Sequence, residues 1–221
     1  MIKKVLALCI ILLLWGQNGI AQHDAVVEDI DGNTYQTVTI GNQVWMAENL
    51  KVTRFNDGTP IPMVTGDGDW WYSATPAYSW MGNNKEKYKD TYGALYNWYA
   101  VNTGKLCPAG WRVPTDADWA ELIEFLGGDS IAGDKLKEAG TAHWRGPNNR
   151  STNASGFTAR PAGLRYFRGF YTTGVNGTWW SADEYTETDA WYRTIDYKFS
   201  RVDKYYYNKS TGFSVRCIKE E

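Results

Sequence analysis

Residues 106–126 read LCPAGWRVPTDADWAELIEFL, and they carry the strongest local structural signals in the chain. Thr115 has a hydroxyl that can cap a helix. Asp118, three residues later, can bond back to the cap amide, as a shorter version of the glutamate in a capping box. This pattern predicts a helix that begins near Asp116.

The same stretch predicts which face of that helix is buried. An apolar stripe at positions i, i+3, i+4 and i+7 follows the cap, and two glycines end it. The stripe consists of Trp119, Leu122, Ile123 and Leu126, and the glycines are Gly127 and Gly128. Upstream, prolines and a glycine stiffen the chain around Cys107 and Trp111. We therefore expect a fixed loop that leads into a buried helix.

The first residues have the three zones of a secretory signal peptide. A basic start is followed by an apolar run at residues 5–15 and by Gly19-Ile-Ala21 before Gln22. We predict a signal peptide at residues 1–21; a lipoprotein with the lipid on Cys9 is the less favoured alternative, because only four apolar residues precede that cysteine. The apolar run is short for a bilayer span, and no later stretch approaches the required length. The mature chain is expected to be secreted or associated with the cell envelope, without a transmembrane segment.

Charge and cysteine content narrow the expectations further. The full chain has a formal net charge of −2, which is too mild to indicate nucleic acid as a partner. Cleavage would leave two cysteines, Cys107 and Cys217, and an even number in an oxidising compartment predicts a disulfide. Closing a loop of about 110 residues would contribute about 4 to 5 kcal/mol in the chain-entropy model.

Turn residues divide the remainder of the chain. We interpret residues 22–28 as a short polar leader and residues 29–33 as a turn, because positions six and twelve of an EF-hand counted from Asp29 are not Gly and Glu. Residues 34–40 and 43–50 around Gly41-Asn42 predict a β-hairpin.

Later segments are predicted with less regular patterns. Residues 53–90 indicate a long loop region pinned by aromatic side chains, residues 92–101 a helix with a strand as the alternative, and residues 134–139 one or two helical turns. Short alternating runs in the last third predict an antiparallel meander that ends with residues 212–218, where Phe213, Val215 and Cys217 share a face.

Six ordered blocks of the chain resemble a known family, the major paralogous domain (FISUMP) family of exported bacterial proteins. The blocks are residues 29–35, 40–50, 92–100, 106–126, 155–163 and 212–217. Arg112 to Trp119, which reads RVPTDADW, is more distantly similar to the formylglycine-generating-enzyme branch of the C-type-lectin-like fold.

The resemblance implies a fold but no activity. The fold is α+β and C-type-lectin-like, a small twisted antiparallel sheet with two main helices and long irregular loops, in one domain at residues 29–221. The enzyme's activity is not implied, since its chemistry needs reactive cysteines and both mature cysteines here are assigned to a bridge.

Catalytic and metal-binding patterns are weak. His23 and His143 are the two histidines of the chain, which disfavours a histidine-based triad or a zinc site. Carboxylates at positions 183, 184, 187 and 189 follow Trp179-Trp180 and could bind calcium through hard oxygen ligands, although a solvated acidic turn is the favoured interpretation. The identity of any metal is left open.

The aromatic content indicates recognition. The chain has twelve Trp and fifteen Tyr, more than one small core needs, and such rings stack on sugars or anchor protein interfaces. We predict that most are core, including Trp45, Trp98, Trp111, Trp119 and Trp180. The residues to inspect for exposure are Trp70, Trp71, Trp179, Trp191 and Tyr205 to Tyr207. The candidate binding residues are Trp70, Trp71, Trp179, Asp183, Glu184 and Trp191.

These observations favour an exported, non-catalytic binding module for a glycan or a surface protein. Two alternatives stay open. One is a carbohydrate-active hydrolase that uses a carboxylate pair, and the other is a structural component of the envelope.

Overall fold

The computed structural model describes residues 23–220, and the predicted signal peptide lies outside the described residues. These residues form twelve strands and five α-helices. The strands are β1 (His23–Glu28), β2 (Thr34–Ile40), β3 (Gln43–Met46), β4 (Tyr78–Trp80), β5 (Ala94–Tyr96), β6 (Trp111–Arg112), β7 (Leu164–Tyr166), β8 (Gly169–Tyr171), β9 (Asn176–Glu184), β10 (Asp189–Asp196), β11 (Val202–Asn208) and β12 (Ile218–Lys219). The helices are α1 (Asp67–Trp71), α2 (Lys85–Tyr92), α3 (Trp98–Val101), α4 (Asp116–Phe125) and α5 (Asp129–Leu136). No helix in this part of the chain is long and apolar enough to cross a bilayer.

Two antiparallel sheets organise this mixed α+β fold. A five-stranded sheet has the order β1-β2-β3-β12-β6, so it joins the first and last described strands, and a three-stranded sheet has the order β11-β10-β9. Two small sheets, β4-β5 and β7-β8, complete the set. The segment that the sequence predicts as a polar leader forms β1 instead, because residues 26–28 pair in register with β2.

The predicted hairpin and helix start are confirmed. Strands β2 and β3 pair with Ile40 opposite Gln43, and Gly41 between them has a φ of +63°. Before α4, the Thr115 hydroxyl accepts a hydrogen bond from the Asp118 amide, and the Asp118 carboxylate accepts one from the Thr115 amide. The capping box therefore fixes the first turn of α4.

The stripe of α4 packs into one of two large hydrophobic clusters. All four of its predicted apolar residues are buried, and the Trp119 ring lies 5.0 Å from Trp45 and 6.4 Å from Trp179. The second cluster contains Trp80, Trp98 and Trp180 together with the two cysteines. Cys107 and Cys217 form the predicted disulfide, which links the loop before β6 to the chain just before β12.

Four further segments differ from the sequence predictions. Residues 53–90 are not one loop region, because they contain α1, β4 and most of α2. Residues 92–101 are not one helix, because residues 94–96 are buried on every side and form β5; Gly93 precedes them, and a Cβ there would lie 2.7 Å from the Leu50 carbonyl oxygen. The helix expected at residues 134–139 begins earlier, at Asp129. The segment 212–217 bonds to other segments through isolated bridges at Gly212, Phe213 and Ser214, since it passes through the buried centre between sheets.

Candidate functional site

The end of the β9-β10-β11 sheet where Asp189 pairs with Asn208 carries exposed aromatic side chains on both faces. Strand pairing places Trp191 opposite Tyr206 and places Tyr192 opposite Tyr205. Successive side chains of a strand point to opposite faces, so Trp191 and Tyr206 share one face, whereas Tyr192, Tyr205 and Tyr207 share the other.

The Trp191 face is occupied by the protein's own side chains. Tyr185 stacks on Tyr206 with ring centroids 3.9 Å apart, and Trp191 meets Tyr185 edge to face at 4.5 Å. The Lys204 ammonium lies 4.0 Å from the Trp191 ring centre and pairs with the Asp116 carboxylate at 2.6 Å. One face of the Trp191 ring is therefore already covered by a cation.

A surface groove of about 600 Å³ lies along the edge strand β11 and is lined by side chains from both faces of the sheet. Its lining residues are Trp71, Tyr166, Asp189, Tyr205, Tyr206, Tyr207 and Asn208. Tyr205, Tyr206 and Tyr207 are 50%, 48% and 37% exposed, which is high for large aromatic side chains. We call this feature the aromatic groove.

A buried arginine positions the two groove residues that come from outside the sheet. The Arg165 guanidinium lies 4.4 Å from the Trp70 ring centre and donates to the carbonyls of Thr65 at 2.9 Å and Gly66 at 3.1 Å. These contacts hold α1 beside the β7-β8 hairpin. As a result, Trp71 meets Tyr166 edge to face at 4.8 Å.

Two tyrosines connect the aromatic groove to the core. Tyr192 lies 4.5 Å and Tyr207 lies 6.4 Å from the buried Phe213, measured between ring centres. Burial raises the pKa of Tyr192 to about 12, and burial together with the Tyr166 hydroxyl raises the pKa of Tyr207. Both side chains therefore stay neutral phenols at physiological pH, and their hydroxyls can donate hydrogen bonds.

The polar groups of the aromatic groove are held in place. The Asp189 carboxylate accepts hydrogen bonds from the hydroxyls of Thr188 at 2.7 Å and Thr186 at 3.1 Å. The side-chain oxygen of Asn208 accepts one from the Ser210 amide at 2.9 Å. The side-chain nitrogen of Asn208 can still donate to a ligand. The groove thus combines flat rings with an oriented carboxylate and amide.

Two predicted binding residues are wrong because they are buried. Trp70 lies under Arg165, and Trp179 packs between Trp119 and Phe157 at centroid distances of 6.4 and 6.0 Å. Trp179 and Trp180 point to opposite faces of β9, and the protein covers both faces at this level. Neither Trp70 nor Trp179 can offer a ring to a ligand.

The predicted acidic residues serve the fold. The Asp183 carboxylate accepts a hydrogen bond of 2.6 Å from the Asp116 amide at the start of α4, and Glu184 pairs with Lys209 at 3.3 Å. Within residues 25–220, no group of three or more His, Cys, Asp or Glu side chains is arranged to hold a metal ion. Trp71 lines the aromatic groove, whereas Trp191 is half-buried and does not line it.

Sequence reasoning missed Tyr166 and Phe167. The signal that could have identified them is the aromatic run LRYFRGFY at residues 164–171, in which Gly169 lies near the centre. Such a run predicts a short hairpin with exposed rings. The structure forms that hairpin with Tyr166 opposite Gly169.

Comparison with protein families finds one match. The model of the Fibrobacter succinogenes major domain matches residues 38–219, a range that includes the aromatic groove, α4 and the disulfide. Comparison with curated proteins and with solved structures finds no match.

Proposed function

We propose that this chain, which belongs to the Fibrobacter succinogenes major domain family, is an exported binding module that recognises carbohydrate through the aromatic groove. The observation that carries the proposal is the clustering of Trp71, Tyr166 and Tyr205 to Tyr207 around one groove of about 600 Å³. Ligand sites of small molecules commonly span about 300 to 1,000 Å³.

The chemistry of the aromatic groove suits a sugar. The apolar C–H faces of a pyranose ring can stack on Trp71 and on the tyrosine rings. The Asp189 carboxylate, the Asn208 amide and the phenol hydroxyls supply acceptors and donors for sugar hydroxyls. Among the lining residues described, Asp189 has the one carboxylate, which favours binding over a hydrolysis that needs two.

Export and fold assignment are part of the proposal. A disulfide is typical of proteins outside the cytoplasm, and the signal-peptide pattern of residues 1–21 agrees with it. We assign the α+β domain to the C-type-lectin-like fold on the similarity of Arg112 to Trp119 to that fold. An experimental structure of the mature chain, superposed on such domains, tests the assignment. Cell fractionation tests the location.

A glycan array with the mature protein tests the function. We expect binding to a subset of neutral glycans, and we expect Trp71→Ala to weaken it at least tenfold. Tyr72→Ala is the matched control, because Tyr72 is the next residue, is 78% exposed and does not line the aromatic groove. The array is run with calcium and with a chelator, which tests calcium as a ligand directly. Equal binding by Trp71→Ala and Tyr72→Ala, or no glycan bound by the wild type, would overturn the proposal.

A further inference from the structure

A second, smaller cavity lies between the segment after β3, the end of α2 and the C-terminal segment. Its volume is about 180 Å³, the room of about six water molecules. Residues 47–51 after β3, residues 89–93 at the end of α2, and the side chains of Thr158, Arg160 and Arg216 border it. We call it the basic cavity.

The basic cavity has an excess of positive charge. Lys51, Lys89, Arg160 and Arg216 line it, against the two carboxylates of Glu48 and Asp90. Lys51 pairs with Asp90 at 3.2 Å, and Arg160 pairs at 3.0 Å with Glu138, which lies outside the lining. Within the described residues, neither Lys89 nor Arg216 forms an ion pair.

Arg216 is the most unusual of these cations. Its side chain is buried, and its terminal nitrogens donate to the carbonyls of Ala47 (3.0 Å) and Phe157 and to the Asn49 side-chain oxygen (2.6 Å). Its Nε has no hydrogen-bond partner among the described residues. These neutral acceptors orient the guanidinium but do not form an ion pair with it, and an unpaired charge is costly in the protein interior.

The titration of Arg216 agrees with this geometry. Burial and the neighbouring Arg160 together lower the pKa of Arg216 to about 9, while Glu48 acts in the opposite direction. A bound anion would therefore compensate a charge that the protein itself leaves unpaired.

We propose that the basic cavity binds the carboxylate group of a small hydroxylated organic acid. With Glu138, which pairs with Arg160, four cations face three carboxylates, so the excess is one positive charge. One carboxylate would neutralise that charge, whereas a doubly charged phosphate or sulfate would exceed it. The Thr91 hydroxyl and the two carboxylates can hydrogen-bond the hydroxyl groups of such a ligand. The site is separate from the aromatic groove, with which it shares no lining residue.

Calorimetric titration with sodium glucuronate, glucose and sodium sulfate at equal ionic strength tests the proposal. We expect glucuronate to bind and to raise the melting temperature, glucose to have no effect at this site, and sulfate to bind more weakly than glucuronate. Because Arg216 holds three segments together, the test variant is Lys89→Gln, which should weaken glucuronate binding at least fivefold. Lys85→Gln is the matched control, since Lys85 lies on the same helix but does not line the basic cavity.

The outcome is independent of the proposed carbohydrate site. Trp71→Ala should bind glucuronate as the wild type does, because Trp71 lines the aromatic groove and does not line the basic cavity. No binding of glucuronate, equal binding by Lys89→Gln and Lys85→Gln, a response of Trp71→Ala to glucose equal to its response to glucuronate, or tighter binding of sulfate would each overturn the carboxylate proposal.

Discussion

The side-chain oxygen of Asn49 accepts a hydrogen bond of 2.9 Å from the indole nitrogen of Trp179, across 130 positions of the chain. The same oxygen accepts from Arg216 at 2.6 Å, and the Asn49 amide nitrogen donates to the Tyr92 carbonyl at 2.9 Å and to the Ser214 hydroxyl at 3.2 Å. Asn49 is buried. One side chain thus joins the end of α2, strand β9 and the C-terminal segment.

Replacing Asn49 should therefore cost far more than an average polar substitution. Asn49→Leu leaves the Trp179 indole and one Arg216 nitrogen without their shared acceptor, and each orphaned buried group costs about 1 to 3 kcal/mol. We expect a loss of about 3 kcal/mol or more in the free energy of unfolding, measured by urea denaturation. Asn149→Leu, at an exposed position, is the control and should change it by less than about 0.5 kcal/mol. Similar urea denaturation midpoints for Asn49→Leu and Asn149→Leu would show that the hydrogen bonds of Asn49 do not stabilise the fold.

Adjacent tryptophans should behave in opposite ways. Trp70 is buried under Arg165, so Trp70→Ala should destabilise the protein by about 3 to 5 kcal/mol. Trp71 is half-buried in the aromatic groove, and Trp71→Ala should cost about 1 kcal/mol while glycan binding is lost. Thermal unfolding and glycan titration of both variants check this. A stable Trp70→Ala protein would show that α1 is not anchored in the core.

Acid should destabilise the protein partly through Asp118. Burial alone would raise its pKa, but hydrogen bonds from Arg112 and Thr115 hold the pKa of Asp118 below its usual value. As the pH falls, the unfolded chain binds this proton first. The stabilisation is thus complete above about pH 4 and is lost as the pH falls further toward the folded-state pKa.

Asp118→Asn removes this titration and weakens the capping box. We expect about 1 kcal/mol less stability than wild type at pH 7 and a smaller difference near pH 3. Urea denaturation from pH 7 to pH 3 measures both. If the stability difference between the wild type and Asp118→Asn became larger as the pH fell, the result would contradict this mechanism. Asp129→Asn, at the start of α5, is a control for changing a carboxylate near a helix start.

The disulfide should be a major stabilising element. Cys107 and Cys217 close a loop across 110 positions, so replacing both by serine should cost about 4 to 5 kcal/mol. The measurement is thermal unfolding of the wild type with and without reductant, beside the Cys107→Ser/Cys217→Ser variant. Reductant should lower the melting temperature of the wild type and leave that of the double variant unchanged. Two titratable thiols in the native, unreduced protein would contradict the bridge.

Gly163, which directly precedes the β7-β8 hairpin, should be difficult to replace. It has a φ of +73°, and a Cβ would lie 2.2 Å from the Tyr171 carbonyl oxygen and 2.7 Å from the Thr173 nitrogen. Gly163→Ala must therefore shift the β7-β8 hairpin that carries Tyr166, with a cost of about 2 kcal/mol or more and weaker glycan binding.

Gly104→Ala separates backbone strain from this clash. Gly104 has a similar φ of +67°, but no atom lies within 4 Å of a Cβ placed there. We expect a cost of about 1 kcal/mol and unchanged glycan binding. Equal destabilisation by the two alanine variants would show that the Cβ at position 163 causes no clash that lowers stability.

The local patterns of the chain were sufficient for α4, the β2-β3 hairpin and the disulfide. A capping box, an i, i+3, i+4 stripe and a two-residue turn each involve groups only a few positions apart, so their physical chemistry is contained in a short window. The Cys107–Cys217 pair followed from the even cysteine count of the chain that remains after the predicted signal peptide.

The assignment of aromatic side chains to core or surface depended on the tertiary structure. Trp70 and Trp71 are neighbours, as are Trp179 and Trp180, yet Trp71 borders a groove while the other three are buried. Whether a ring is buried depends on what remote segments place over it, such as Arg165 over Trp70 or α4 over Trp179. The burial of Arg216 likewise depends on remote segments. Its guanidinium is held by the carbonyls of Ala47 and Phe157, which are distant in sequence and adjacent only after folding.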